Sequence, residues 1–168
     1  MDLHPLTVHF PIAFLCLYSV MELARLPVLT RQSFWFPIKA VLLIVGVVGA
    51  FVSLQTGEGA AEAMRGNADV QVLRMHANFA TAATWIYAAL TAAYILTWLD
   101  RSTSKVRSLP GGTFLVRLAE WIAVSPLSIV FAVTGLLLLT VVGALGASMV
   151  YGPGIDPAVG VIYHLLIR

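Results

Sequence analysis

Four long runs of apolar residues, separated by short polar segments, set the pattern of the chain. They cover roughly Pro5 to Ala24, Trp35 to Leu54, His76 to Trp98 and Pro126 to Tyr151. Each is long enough to cross a hydrocarbon core that takes about 20 helical residues. Stretches such as VLLIVGVVGAFVSL and VFAVTGLLLLTVVGAL are apolar all round, whereas strands of a membrane barrel are shorter and alternate apolar with polar positions. The pattern predicts an all-α integral membrane protein, an antiparallel four-helix transmembrane bundle forming a single domain over residues 1–168.

The segments between and beyond the spans add detail. Pro5 falls where a first-turn proline is tolerated, but Pro11 comes later and predicts a kinked turn or a delayed regular helix around His9. The turn RLPVLTRQS is short and makes the first two spans antiparallel neighbours, with Trp35 and Phe36 at the headgroup level. After the polar turn STSKVRSLPGG, the stretch TFLVRLAEWIAVSP puts Arg117 and Glu120 on one face and Phe114, Leu118, Trp121 and Ile122 on the other. That is the pattern of a short interfacial helix on the cytoplasmic surface. Ser125 and Pro126 then restart the chain as the fourth span, serine as cap and proline in the first turn. The final GPGIDPAVGVIYHLLIR ends that span and resumes as a short outer C-terminal segment.

Small residues recur at spacings that let membrane helices approach closely: Gly46, Gly49 and Ala50, Ala88 with Ala92, Ala89 with Ala93, and Gly143 with Ala147. The same small faces would also leave room for a flat cofactor.

Composition agrees with the pattern: 60% of residues are hydrophobic and 11% charged, far from soluble domains. Arg25, Arg31, Lys39, Arg101, Lys105, Arg107 and Arg117 lie on one side of the alternating spans, and only Arg65, Arg74 and Arg168 on the other. The richer side is expected in the cytoplasm of a bacterial inner membrane, with both termini periplasmic. The net charge of +2 follows from this loop bias and gives no reason to invoke nucleic acid. The lone Cys16 excludes an internal disulfide and a thiolate cluster. No Lys or Arg precedes the first apolar run, so that run is expected to stay as an anchor.

The chemistry worth weighing lies in the histidines. Alternation of the spans brings His4, His9, His76 and His164 to the outer side, level with Arg65, Arg74, Glu58, Glu62 and Tyr151. His9 and His76 sit inside the starts of apolar spans, where ionisable residues usually mark a site. One reading is haem b, with His9 and His76 as axial ligands, His4 and His164 in reserve, and Arg65 and Arg74 at the propionates. A second is a transition-metal ion held by His4, His9, His76 and His164 with Glu58 or Glu62. A third is a cofactor-free accessory subunit of a larger membrane complex, its His-Pro motif purely architectural. The outer loop TGEGAAEAMRGNADVQ lacks the Gly-Lys-Ser/Thr of a phosphate loop, and its two glutamates read as a solvated acidic face. No serine, histidine and carboxylate are spaced as a nucleophilic site, so the chain is not expected to catalyse a reaction on its own. Expected partners are the lipid bilayer and membrane or periplasmic redox proteins, with oligomerisation left open.

The HPLTVHFPIA start at His4 to Ala13 resembles the opening signature of a family of predicted bacterial membrane proteins, domain of unknown function 2231. The resemblance extends through Thr-Gly-x-x-Ala-Ala at Thr56 to Ala61, the histidine opening the third span at His76, and Gly-x-x-Met-Val-Tyr-x-x-Gly at Gly146 to Gly154. It implies four spans and, through members joined to or encoded with Rieske-type or cytochrome modules, an electron-transfer setting. The sequence departs from the resemblance at Ala144, where members often carry a further histidine that His164 would have to replace.

Overall fold

The computed structural model describes residues 4–63, 69–103 and 105–167. In chain order these form α1 (His4–Leu23), the short α2 (Pro27–Thr30), α3 (Trp35–Ala63), α4 (Val70–Thr103), α5 (Gly112–Val124), α6 (Leu127–Tyr151) and α7 (Pro157–Leu166), with a 3₁₀ turn at Val106–Ser108. Helices α1, α3, α4 and α6 are long and apolar enough to cross a membrane.

The four spans close into a ring in the order α1, α3, α4, α6, which leaves α1 diagonal to α4 and α3 diagonal to α6. Close approaches give the register. Along the α1–α3 seam, Leu15 presses on Gly46, Pro11 on Gly49 and His4 on Gly57; along the α4–α6 seam, Tyr87 presses on Gly135 and His76 on Gly146. In both seams one number falls as the other rises, so the partners run antiparallel. The expected small-residue packing is thus realised at Gly46 and Gly49, and at Ala50 and Ala93 in the core, while Ala89 and Ala92 are exposed; Gly57, Gly135 and Gly146 are further close approaches. Gly143 takes no part in it: it is exposed, with open space where a side chain would stand.

Two spans run past the ends that hydropathy marks. Helix α3 continues beyond Leu54 to Ala63, and α4 begins at Val70, before His76. The added residues include Gln55, Glu58, Ala60, Ala61, Gln71, Leu73, Arg74 and Met75, most of them good helix formers that hydropathy scores as loop. Asp69 starts α4 by accepting the Gln71 N–H at 2.8 Å. At 34 residues, α4 is about 51 Å long, well over the roughly 30 Å of a hydrocarbon core. Helix α1 carries Pro11 inside it and is helical from His4 onward, so the expected delay at His9 does not occur.

The aromatic pair opening α3 packs into the bundle. Trp35 is buried, and Phe36 turns inward to stack on Tyr94, ring centroids 4.9 Å apart. Arg101 lies over the Phe36 ring, its guanidinium carbon 4.2 Å from the centroid. The amphipathic α5 packs its small residues Gly112, Val116, Ala119 and Ala123 inward and leaves Phe114, Leu118 and Trp121 exposed. Ser125 restarts the chain by accepting the Leu127 N–H, as its sequence position suggests. Asp156 does the same for α7 through the Ala158 N–H.

Candidate functional site at the histidine end

The seams that set the register also place two imidazoles. His4, half-buried on α1, leans over Gly57 of α3, where an added methyl would stand 3.1 Å from its Cε1. His76, half-buried on α4, leans over Gly146 of α6 in the same way at 3.4 Å. Glycine is the residue that lets a ring lie this close to the neighbouring backbone. Since α1 and α4 are diagonal, the two rings come from opposite corners of one end of the bundle.

Each ring is fixed through Nδ1. His76 Nδ1 lies 3.0 Å from the Val142 carbonyl. A carbonyl only accepts, so Nδ1 carries the proton and Nε2 the lone pair. His4 Nδ1 lies 3.1 Å from Thr56 Oγ1, and the Thr56 hydroxyl is placed to donate to the Ser53 carbonyl at 3.2 Å. Thr56 also lies 3.2 Å from the Thr7 hydroxyl, which itself donates to the His4 carbonyl, so His4 Nδ1 joins a chain of hydroxyls between α1 and α3. One turn from Thr56, the buried Ser53 hydroxyl has no protein partner among the described residues.

The other sequence-selected residues are placed differently. His9 is exposed on α1, and His164 is exposed on α7, in edge contact with Tyr163. Arg74 is exposed on α4 close to the His76 level; Glu58 and Glu62 are exposed together near the end of α3. Arg65 lies outside the described residues. Ala144, the position of the expected family histidine, is buried in α6 between Val142 and Gly146. Among the described residues, no three His, Cys, Asp or Glu side chains converge as a metal-binding group.

The opposite end holds a cluster that hydropathy reading passed over. Glu22, near the end of α1, is completely buried. Its Oε2 accepts from Lys39 Nζ of α3 at 2.6 Å and from the Tyr94 hydroxyl of α4 at 3.2 Å. Its Oε1 accepts from Ser128 of α6 at 2.7 Å and from Arg25. One carboxylate therefore ties all four spans together. Arg25 also bonds the Ser128 hydroxyl at 2.6 Å and the Ser125 carbonyl at 3.2 Å, while Lys39 Nζ sits 5.5 Å from the Tyr94 ring centroid. Lys39 and Arg25, counted by sequence among the charges that orient the chain, are thus engaged in the bundle. The signal for this cluster was a lone glutamate inside the first apolar run, since an ionisable residue at membrane depth requires a partner.

With both ends described, comparison with known proteins adds a family. A family model described as "Predicted membrane protein (DUF2231)" matches residues 1–158. The chain belongs to this family. The match takes in all four spans and both clusters, so the histidine end and the Glu22 end fall within the family's extent. No curated protein and no solved structure matches the chain.

Proposed function

We propose that this family member is a membrane electron-transfer protein, or a subunit of one, that binds haem b between His4 and His76. The observation that carries the reading is the pair of imidazoles on diagonal helices, each lying over a glycine and each fixed through Nδ1. Iron-ligating imidazoles characteristically donate their other ring N–H to a carbonyl or similar acceptor, which sets both tautomer and ring orientation. A porphyrin fills four positions around its iron and asks the protein for two axial ligands, whereas a bare ion takes three or four protein ligands. A pair with no third His, Cys, Asp or Glu among the described residues therefore favours haem over a bare transition metal. Bound there, the haem would supply a one-electron carrier. The protein's part is to hold the two imidazoles and to offer Arg74 to a propionate.

His4 takes the place that the sequence pattern assigns to His9. Arg31, Arg101, Lys105, Arg107 and Arg117 gather at the Glu22 end, so by the positive-inside rule that end is cytoplasmic and the histidine end periplasmic, within reach of soluble redox partners.

One observation favours the cofactor-free reading: the same two Nδ1 contacts link α1 to α3 and α4 to α6, which is also what architectural histidines would do. Titrating hemin into the protein in mild detergent separates the two. The haem reading predicts saturable uptake with a low-spin spectrum. Uptake that never saturates, or that yields no low-spin species, overturns it in favour of the structural role.

A further inference from the structure

Three buried polar atoms without a protein partner among the described residues lie at the Glu22 end: the Tyr18 hydroxyl, Thr97 Oγ1 and Asp100 Oδ1. Tyr18 and Thr97 are fully inaccessible and Asp100 is 6% exposed. Along α4 the residues Asp100, Thr97 and Tyr94 succeed one another at single-turn intervals, all buried. They mark a polar line. At its outer limit Asp100 Oδ2 accepts from the half-exposed Arg107 at 2.8 Å. At its inner limit stand the Tyr94–Glu22 hydrogen bond and the Tyr18 hydroxyl, which neighbours that of Tyr94 without a hydrogen bond of normal geometry.

Thr97 is the most informative member. Thr84, Thr91, Ser102 and Thr103 on the same helix each return their hydroxyl to the carbonyl four residues back. Thr97 does not, although the Ala93 carbonyl is available in the same relation. Its hydroxyl is buried without a protein partner among the described residues, where membrane-embedded groups have no bulk water to bond. Buried hydroxyls without protein partners are ordinarily satisfied by ordered water, which needs two to four polar partners. Asp100 Oδ1 and the Tyr18 hydroxyl, likewise buried and unpartnered among the described residues at this end, are the groups it would share.

One turn further toward the histidine end, the unpartnered groups stop: the buried Thr91 returns its hydroxyl to the Tyr87 carbonyl, and apolar side chains take over. Leu15 follows Tyr18 on α1, Leu43 follows Lys39 on α3 and Leu90 follows Tyr94 on α4, all in the apolar core. Tyr87 is as inaccessible as Tyr18, but its hydroxyl is satisfied by Ser19 at 2.8 Å.

We infer that a file of bound water forms a half-channel from Asp100 past Thr97 to the Tyr18 hydroxyl and the Glu22 cluster, closed by the leucine layer. It gives Glu22 exchange with protons of the aqueous phase at that end only. The inference is independent of haem binding.

Hydroxyl-radical footprinting of the protein in lipid vesicles tests it, because radiolysis of bound water labels buried side chains beside it. Tyr18 and Tyr94 are expected to label several-fold faster than Tyr87, a tyrosine of equal burial that serves as the dry control. Thr97→Val is expected to bring Tyr18 labelling down toward that of Tyr87, and Thr97→Ser to preserve it. Labelling of Tyr18 no faster than Tyr87 in the unaltered protein overturns the inference, and so does labelling that Thr97→Val leaves unchanged.

Discussion

Replacing Glu22 by alanine is expected to destabilise the bundle by about 3–5 kcal/mol, the range found when one partner of a buried ion pair is removed. The loss comes from what is left behind. Lys39, only 8% exposed, would keep its charge against the Tyr94 ring with no carboxylate at 2.6 Å. Tyr94 and Ser128 would lose their shared acceptor, so the damage reaches three other helices at once. Glu22→Gln keeps an acceptor oxygen and is expected to fall between wild type and alanine. The double change Glu22→Leu with Lys39→Met removes both charges and should recover much of the loss, because well-packed apolar pairs often replace buried ion pairs without penalty. Denaturant-driven unfolding in mild detergent provides the comparison. Equal stability of Glu22→Ala and wild type would show that this carboxylate does not clasp the four spans.

The second large effect concerns the histidines. His4→Ala and His76→Ala are each expected to abolish low-spin haem uptake, because a six-coordinate iron loses one of its two axial ligands. His9→Ala and His164→Ala are expected to retain it, since both residues are exposed where His4 and His76 are half-buried. The contrast between His4 and His9 is sharp on geometric grounds. Five residues on an α-helix amount to a rotation of about 140°, so the two rings of the opening motif cannot both face the bundle axis. Retention in His4→Ala with loss in His9→Ala would reverse the assignment of the first ligand. Thr56→Val provides a subtler check. It removes the hydroxyl at His4 Nδ1 and should weaken uptake without eliminating it, as loss of an outer-shell partner typically lowers affinity 10- to 100-fold.

The spans and the all-helical class were legible because hydropathy reports the solvent around each residue, and lipid leaves long apolar runs. Helix ends were less so. Residues 55–63 and 70–75 are polar enough to read as loop, yet their composition favours helix, and backbone hydrogen bonding continues where hydrophobicity stops. The face that each helix turns inward was harder still. His4 and His9 differ by a rotation that is settled by the Pro11–Gly49 and Leu15–Gly46 contacts, which a single helix viewed alone does not contain. The inward stacking of Phe36 was likewise hidden, because the Tyr94 ring that receives it belongs to another helix. Glu22 was visible as a charge within an apolar run. Its partners were not, because Lys39, Tyr94 and Ser128 come from three other helices and meet only once the ring of spans has closed.

The most direct test is the visible spectrum of the protein purified from membranes in mild detergent, recorded oxidised and then after dithionite reduction. A bis-imidazole haem predicts a strong Soret band that shifts and sharpens on reduction, with resolved alpha and beta bands. A spectrum flat in both states, from protein that also fails to take up added hemin, would contradict the haem assignment and leave His4 and His76 as architectural ties between their helices.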